Sequence, residues 1–410
     1  MSTPHGHTTT GPSPSPTRGD STSEDPDSTS AADDGGNPLD CLDVDPEALL
    51  DYANQPVPDY IVHDNTGDNP ITDQGATLGR VLFYDVALSV DDSISCASCH
   101  QQQYAFSDLP EQSEGVAGLT HRHSMRLVNI RFGEDPTVRW DESATTLEPQ
   151  TTRPIKDATE MGYSGTDGSP GMNDLIAKME GLPYYPALFT LAFGDAAITE
   201  ERMQLALAQF VRSIQSFDSR YDEGRSQVDD DLTDFPNFSL VENAGKRLFI
   251  EDFTHEPDQI TIEGEGTFDA SRRTSGGLNC GSCHRPPEFD IDPESLNNGF
   301  LLNLDDPLAQ DFSVTRSPSL HDMMNPDAVF NGGMFHTGRA NEMAGLSGHY
   351  NFRPFDPGNT NLDDRMLPGG LPQWLNISPT EQVQLAAFLE TLTGTAVYTD
   401  PRWSDPFVCR

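Results

Sequence analysis

Lysine is almost missing from this sequence. Only Lys156, Lys178 and Lys246 occur among its 410 residues, and arginine supplies the other basic side chains. Lysine and arginine together number 24 against 66 aspartates and glutamates, which leaves a formal net charge of −42. A surface of this sign repels nucleic acid and anionic membranes, so neither is an expected partner. It would attract a basic electron-carrier protein, although the same acidity is also expected of a protein from a salty habitat.

Long apolar runs are missing as well. No stretch is long and apolar enough to form a transmembrane segment, and no apolar signal-peptide core follows Met1. Residues 1–45 are instead rich in Ser, Thr, Pro, Gly, Asp and Glu, a composition that predicts a disordered spacer.

Cysteine is scarce, and four of the six cysteines belong to two Cys-x-x-Cys-His motifs. The motifs are Cys96-Ala97-Ser98-Cys99-His100 and Cys280-Gly281-Ser282-Cys283-His284. In this pattern two thiols bond to the vinyl groups of one haem and the adjacent histidine reaches the iron. A zinc site would need four ligands clustered closer together, and a thioredoxin-like pair does not need the histidine. The sequence therefore predicts two covalently bound c-type haems, with His100 and His284 as iron ligands.

Covalent haems also bear on the location of the protein. Because c-type haems are attached outside the cytoplasm, we expect a periplasmic or extracytoplasmic protein whose secretion signal has been removed, and the spacer could follow a membrane tether. Cys41 and Cys409 remain outside the two motifs. In an oxidising compartment they could pair with each other. Two unpaired thiols, or a bond from Cys41 to another molecule, are the alternatives.

The periodicity of the chain predicts a mainly α fold with long loops and no sustained β alternation. The clearest helix is expected from about Thr199 to Phe217, and a second begins at a capping box led by Ser378 and stops at Gly394. Similar lead-ins to the two motifs suggest two tandem units, with the boundary in the polar stretch after Tyr221. The expected domains are residues 46–228 and 229–410.

Further motifs make the chain similar to a known family, the bacterial di-haem cytochrome c peroxidases that include MauG. In the first half they are Leu78-Gly79-Arg80 to Asp85, Ser95 to His100, Trp140-Asp141, Leu147-Glu148-Pro149-Gln150, Pro154-Ile155 and Glu160-Met161. In the second half they are Ser317 to Leu320, Phe335 to Arg339, His349-Tyr350-Asn351 and Asp400 to Pro406. The resemblance covers about residues 70–406 and follows the order of the family.

The resemblance implies a division of labour between two cytochrome c-like domains. The N-terminal haem would react with peroxide, with Glu160 as the distal acid/base and Gln150 and Pro154 as further residues of the distal pocket. Trp140 would relay electrons between the haems. A surface carboxylate is the ordinary fate of a glutamate, and a core aromatic that of a tryptophan.

The C-terminal haem would store electrons, and its distal ligand would be Tyr350, as in MauG. Methionine at that position would raise the potential, whereas a tyrosine phenolate would lower it. Met334 and Met343 are nearby alternatives. The family also implies a calcium ion, but the position of an asparagine ligand is taken by His123 here, with Asn331 in the segment of the other ligands. A hard cation prefers oxygen to imidazole, which makes calcium doubtful.

The first functional hypothesis is a peroxidase that reduces hydrogen peroxide to water with electrons from a small cytochrome c or a copper protein. The alternative is a MauG-like enzyme that oxidises residues of a partner protein through a high-valent di-haem state. A third reading is a non-catalytic electron-transfer cytochrome, against which the Glu160 pattern argues.

Overall fold

Helices joined by long loops make up most of the protein in the computed structural model, which describes residues 37–352, 354 and 356–409. Most of the predicted spacer, residues 1–36, lies outside the described residues. Its last part, however, is packed: Leu39 and Leu42 are buried, and Leu42 forms a β-bridge with Phe407. The packed chain therefore begins before residue 46, because these two leucines join the hydrophobic core.

The helices alternate with loops along the whole described chain. They are α1 Asp73–Tyr84, α2 Cys96–Cys99, α3 Leu147–Thr151, α4 Arg153–Lys156, α5 Met172–Glu180, α6 Tyr184–Phe193, α7 Glu200–Ser213, α8 Arg220–Arg225, α9 Leu240–Ile250, α10 Met343–Asn351 and α11 Pro379–Glu390. No helix among these residues is long and apolar enough to cross a membrane.

The strands are short, with one exception. They are β1 Glu114–Gly115, β2 Gly118–Leu119, β3 Phe253–Ile262, β4 Gly266–Gly276, β5 His284–Arg285, β6 Asp290–Ile291 and β7 Gln373–Trp374. β3 and β4 form an antiparallel hairpin, and β7 pairs in parallel with β4. The sequence did not predict this hairpin, because most of β3 is exposed on both faces and Pro257 interrupts the strand signal.

The same type of helix crossing occurs once in each half of the protein. α1 packs on α7, and α9 packs on α11. A Cβ atom at Gly79 of α1 would overlap the carbonyl oxygen of Ala206 in α7, and a Cβ atom at Gly245 of α9 would overlap that of Gln384 in α11. Glycine is therefore required at both crossings, and the similar lead-ins to the two motifs encode the same packing.

A trio of aromatic rings repeats beside each crossing. Phe83 lies 5.1 Å from Phe210 and 6.0 Å from Phe106, between ring centroids. Phe249 lies 5.3 Å from Phe388 and 5.7 Å from Phe289. Phe106 and Phe289 each follow a Cys-x-x-Cys-His motif and have positive φ angles of 60° and 51°. These repeats agree with two related units, and the boundary at residues 228 and 229 stays a prediction.

Helix α7 begins where the sequence predicts but ends earlier. The Thr199 side chain accepts a hydrogen bond from the Arg202 amide as the N-cap, and the helix stops at Ser213 rather than near Phe217. The backbone after Ser213 pairs with Asn129 instead: the amide of Asn129 donates to the Ile214 carbonyl, and its side chain bonds both backbone groups of Ser216. Helix α11 starts at the predicted capping box.

The ends of the described chain meet. Cys41 and Cys409 form a disulfide, which confirms the first of the three predicted alternatives. The Val408 amide donates to the Cys41 carbonyl beside it. The first hydrophobic core spans Leu39 to Ile214 and also takes in Trp403 from the C-terminal segment, whereas the second lies within residues 221–392. The chain therefore returns to the first core after it completes the second.

Candidate active site

A cavity with about 730 Å³ of free space, partly open to solvent, lies beside the first Cys-x-x-Cys-His motif. Its walls include both motif cysteines and the adjacent histidine together with three predicted distal residues: Cys96, Cys99, His100, Gln150, Pro154 and Glu160. The structure therefore brings together residues that lie up to 64 positions apart in the sequence.

His100 is oriented by its backbone surroundings. Its Nδ1 atom lies 3.1 Å from the carbonyl oxygen of Phe106, and a β-bridge between Gln101 and Ser107 closes the loop between them. Burial lowers the pKa of His100, so the imidazole is neutral. With Nδ1–H donated to a carbonyl, Nε2 carries the lone pair that an iron ligand needs.

Glu160 sits on a loop that a glycine holds in place. The Val116 amide donates to the Glu160 carbonyl at 3.0 Å, and the Glu160 amide donates to an Asp157 carboxylate oxygen at 3.1 Å. A Cβ atom at Gly115, which also lines the cavity, would overlap the Thr159 carbonyl oxygen, so this close approach requires glycine. The loop therefore fixes the backbone from which the Glu160 side chain projects.

The Glu160 carboxylate is half-buried and accepts no hydrogen bond among the described residues. Burial, and secondly the negative charge of Asp157, raise its pKa above the usual value. Gln150, on α3, has a buried Oε1 atom with no hydrogen-bond partner in the described chain. A carboxyl group with a raised pKa and an unsatisfied amide oxygen in one cavity are typical of a site built for a polar reactant.

An ion pair anchors α3. Arg212 of α7, which is 2 % exposed, donates to both carboxylate oxygens of Glu148, and Asn69 adds a bond of 3.1 Å. These contacts lower the pKa of Glu148 to about 2 against the effect of burial. Because Gln150 follows on the same short helix, the pair also holds the position of Gln150.

A second cavity, with about 1610 Å³ of free space partly open to solvent, lies beside the second motif. Its walls include the motif residues, the predicted relay residue and all three candidate distal ligands: Cys280, Cys283, His284, Trp140, Tyr350, Met334 and Met343. His284 pairs with Ile291 through strands β5 and β6. Burial lowers the pKa of His284 to about 4, so its imidazole is neutral too.

Tyr350 lies on α10, and its hydroxyl accepts a hydrogen bond of 3.0 Å from the side-chain amide of Asn298. Burial raises the pKa of the free Tyr350 phenol. Met334 and Met343 line the same cavity, so the assignment of the distal ligand to Tyr350 stays a prediction. Sequence reasoning did not single out Asn298, because its distance of 52 positions from Tyr350 gives no local signal.

Trp140 connects the surroundings of the two cavities. Its indole N–H donates to the carbonyl oxygen of His123 at 2.9 Å, and its ring lies 6.4 Å from that of His336. Ser124, which follows His123, also lines the second cavity and lies 3.4 Å from Nδ1 of His100. Trp140 is thus in the wall of the second cavity and is separated from His100 by residues 123–124.

The residues of both cavities fit covalent haems. Each cavity presents two unpaired thiols and one neutral imidazole. Burial raises the pKa of Cys96 and of Cys280 to about 12, which disfavours the thiolate that a redox pair would use. Within the described chain, no group of three or more His, Cys, Asp and Glu side chains is arranged to hold a metal ion.

The residues at the expected calcium position do not support calcium. His123 is 4 % exposed, and its Nδ1 atom lies 2.8 Å from the Pro110 carbonyl oxygen and 3.5 Å from Asp108. The side-chain amide of Asn331 donates to the Asp322 carbonyl. Imidazole is a poor ligand for a hard cation. Calcium therefore stays the doubtful expectation of the sequence, although the Oδ1 atom of Asn331 is buried without a hydrogen-bond partner among the described residues.

The sequence of this chain is similar to those of known di-haem proteins. The family described as di-haem cytochrome c peroxidase matches residues 73–229. The methylamine utilization protein MauG of Methylophilus methylotrophus is 27% identical over 340 residues, which are 80% of this chain and 85% of that protein. Cytochrome c peroxidase Ccp of Escherichia coli is 28% identical over 170 residues, 41% of this chain and 33% of that enzyme.

Solved structures extend the likeness to most of the chain. A MauG-like protein associated with microbial copper homeostasis has a TM-score of 0.62 and 25% identity, covering 86% of this chain and 99% of its own. A variant of the diheme peroxidase BthA from Burkholderia thailandensis has a TM-score of 0.56 and 19% identity, covering 87% and 93%. The second likeness concerns the fold alone.

Proposed function

This chain belongs to the bacterial di-haem cytochrome c peroxidase and MauG family, and on that premise we propose that it reduces hydrogen peroxide to water with electrons from a small cytochrome c or a copper protein. The balanced reaction takes one peroxide, two protons and two electrons to two water molecules. When bound, the two haems supply redox-active iron. The remaining requirements are proton transfer, substrate positioning and an electron route, and these fall to side chains of this protein.

One observation carries the proposal: Glu160 lines the same cavity as Cys96, Cys99 and His100. A carboxylate in this position can accept the proton of a peroxide oxygen and return it to the oxygen that leaves as water. Its raised pKa brings the carboxyl closer to neutral, where one group can serve as base and then as acid. A non-catalytic cytochrome has no use for such a carboxyl beside its haem.

The other two distal residues have positioning roles. The unpartnered Oε1 atom of Gln150 can accept a hydrogen bond from the peroxide, and the ion pair of Glu148 keeps its helix in place. Pro154 adds an apolar wall that has no backbone N–H to compete for the substrate. Together they leave Glu160 as the group that moves protons.

The electron route runs through Trp140. Electrons would enter through the half that holds Cys280, Cys283 and His284, which is the electron-transfer domain of residues 229–410. An indole ring is oxidised more easily than the surrounding aliphatic side chains. The Trp140 indole N–H donates a hydrogen bond of 2.9 Å to the His123 carbonyl, in the backbone segment that leads to Ser124 beside His100. Residues 46–228 would then be the peroxidatic domain.

The location and the donor follow from two properties of the chain. The disulfide between Cys41 and Cys409 is the kind of bond that persists in oxidising compartments, which supports a periplasmic or other extracytoplasmic location. The net charge of −42 favours association with a basic donor protein. Such association should weaken as salt increases, because exposed charges are screened.

The test is steady-state turnover of hydrogen peroxide by the purified holoprotein with reduced horse cytochrome c, a basic electron donor. We expect two cytochrome molecules to be oxidised for each peroxide. The Glu160→Gln variant should lose most of this turnover, whereas Glu180→Gln, an exposed carboxylate on α5, should retain it. Two intact haems without peroxide-dependent oxidation of any cytochrome or copper-protein donor would contradict the proposal.

A MauG-like reaction is the second candidate, and Tyr350 in the wall of the second cavity favours it. A phenolate ligand lowers the reduction potential, which suits storage of oxidising equivalents rather than acceptance of electrons from a cytochrome. In that case peroxide would be consumed without a cytochrome donor while residues of a partner protein become oxidised. Failure of every small donor, with peroxide still reacting rapidly, would favour this candidate.

A further inference from the structure

Arg126 is a cation in the interior of the protein. It is 5 % exposed and lines the second cavity. One guanidinium nitrogen donates to the Ser319 carbonyl at 3.0 Å, whereas the buried Nε atom has no hydrogen-bond partner among the described residues. Burial lowers the pKa of Arg126 to about 10, so the side chain still carries its charge at neutral pH.

Arg316 is a second buried arginine in the wall of the same cavity. It is 4 % exposed, and its Nη2 atom donates to Asp290 at 2.8 Å. Its Nη1 atom is buried and has no hydrogen-bond partner in the described part of the chain. Arg126 and Arg316 come from the two halves of the protein. Each lines this cavity and has one buried N–H donor without a partner among the described residues.

An unsatisfied buried donor on a charged group is costly, and native proteins rarely keep one without a ligand. Arg365 shows the contrast within the same cavity. Its guanidinium is engaged by the carboxylates of Asp292 and Asp363, the carbonyl of Ser282 and the hydroxyl of Ser295. Arg126 forms no ion pair among the described residues, so its charge is available to a ligand.

The ligand must be anionic and must reach the interior of the cavity. The negative charge of Asp322 acts on Arg126, but Asp322 is itself held by the Gly394 amide at 2.9 Å and the Tyr398 hydroxyl at 3.1 Å. Arginine binds carboxylates with its planar fork of N–H donors. A haem carries two carboxylates, its propionates, on one edge. Free phosphate or chloride would meet the same donors, but neither would be held there by covalent attachment.

We propose that Arg126 and Arg316 bind the propionates of the haem attached at Cys280 and Cys283, and that Arg126 thereby raises the reduction potential of this haem. The inference rests on the proposed function only in assuming that a haem occupies the second cavity. A fixed positive charge near the iron favours the ferrous form, which carries one positive charge fewer. Arg126 is a positioning residue, since it acts through the propionate.

The test compares holoprotein variants by spectroelectrochemical titration. Arg126→Gln should lower the midpoint potential of the C-terminal haem by ~59 mV. For a one-electron reduction this corresponds to an equilibrium constant that is about tenfold smaller. Arg126→Lys, which keeps the charge without the fork, should lower it less. Arg272→Gln, on the exposed hairpin, should leave it unchanged. The wave that is absent from a variant carrying both Cys280→Ala and Cys283→Ala identifies the C-terminal haem.

A second readout covers a variant that folds poorly. In wild-type protein, infrared difference spectra of reduction should show a propionate carboxylate band that shifts in Arg316→Gln as well as in Arg126→Gln. Unchanged potentials and unchanged carboxylate bands, in variants that retain two haems per chain, would overturn the inference. If the potentials and bands are unchanged in these variants but shift when phosphate or chloride is added, the two arginines bind a free anion. That result would also overturn the inference. A protein without covalent haem would instead refute the proposed function.

Discussion

The indole N–H of Trp140 donates to the carbonyl oxygen of His123 at 2.9 Å. This bond connects the wall of the C-terminal cavity to the backbone segment beside His100 of the first motif, since the next residue, Ser124, lies 3.4 Å from Nδ1 of His100. Trp140 is 9 % exposed, so the link is inside the protein. Trp140 and residues 123–124 therefore form one continuous contact between the wall of the C-terminal cavity and His100.

Replacing Trp140 should slow the passage of electrons between the haems. Trp140→Phe removes the indole N–H and leaves a ring that is harder to oxidise. We expect re-reduction of the peroxide-treated protein to slow on the order of tenfold, which corresponds to about 1.4 kcal/mol of barrier. Stopped-flow spectroscopy with a reduced cytochrome measures this rate. Trp374→Phe, which lines neither cavity, is the matched control, and equal rates for both variants would remove Trp140 from the route.

Replacing Tyr350 should change one haem alone. Tyr350→Phe removes the oxygen that accepts from Asn298, so one haem should lose its sixth ligand and its reduction potential should rise. Electronic and resonance Raman spectra report the ligation. Tyr104→Phe, outside both cavities, should leave the spectra unchanged. A methionine–iron charge-transfer band in the wild-type ferric protein would refute the assignment and favour Met334 or Met343.

Both haems should remain attached after denaturation. Each motif presents two free thiols to its cavity, and thioethers formed there survive unfolding. We expect about two c-type haems per chain in a pyridine haemochrome assay. Cys280→Ala with Cys283→Ala should leave one. Extraction of haem by acidic acetone from the wild-type protein would contradict covalent attachment.

The ion pair of Glu148 and Arg212 should make stability depend on pH. The folded pKa of Glu148 is about 2, below its ordinary value of 4.5. The contribution of the pair is therefore complete above pH 4.5 and is lost as pH falls towards 2. Glu148→Gln should cost about 3 kcal/mol at pH 7, because it leaves a buried arginine without its partner.

Urea unfolding at pH 7 and at pH 3 measures the difference between wild type and Glu148→Gln. The difference should shrink at the lower pH, since the unfolded wild-type chain then binds a proton at Glu148 that the folded chain, with its pKa of about 2, does not yet bind. Glu111→Gln breaks an exposed pair with Arg339 and should cost under about 1 kcal/mol at either pH. Equal costs for the two variants at pH 7 would show that the buried pair contributes little.

Short-range features could be predicted from the sequence, and long-range ones could not. The caps at Thr199 and Ser378 are local patterns, and the structure has both. Helix α7 ends early because Asn129, far away in the chain, binds the backbone at Ser216. The exposed hairpin of β3 and β4 lacked the one-sided apolar pattern that identifies a strand.

The candidate site divides in the same way. Cysteine and histidine spacing indicated the two cavities, and resemblance to a family indicated Glu160, Gln150 and Trp140. Arg126 gave no signal, because a buried arginine looks like a surface arginine until its surroundings are known. Cys41 and Cys409 were candidates for a disulfide, but only the meeting of the chain ends decided between the alternatives.

The central claim is that Glu160 moves the proton that allows peroxide cleavage at the N-terminal cavity. Stopped-flow mixing of the resting protein with hydrogen peroxide tests it most directly. Glu160→Gln keeps the size and hydrogen-bonding reach of the side chain but cannot take up the proton. We expect the spectral change to slow by about 10²–10⁴-fold, with haem content and resting spectrum preserved and Glu180→Gln reacting like wild type.

The pH dependence gives the same experiment a second criterion. In the wild-type protein the peroxide reaction should slow as pH falls through the pKa of Glu160, which lies above the ordinary glutamate value because of burial. Glu160→Gln should lack this dependence. A variant that reacts at the wild-type rate, with the wild-type pH profile, would contradict the account.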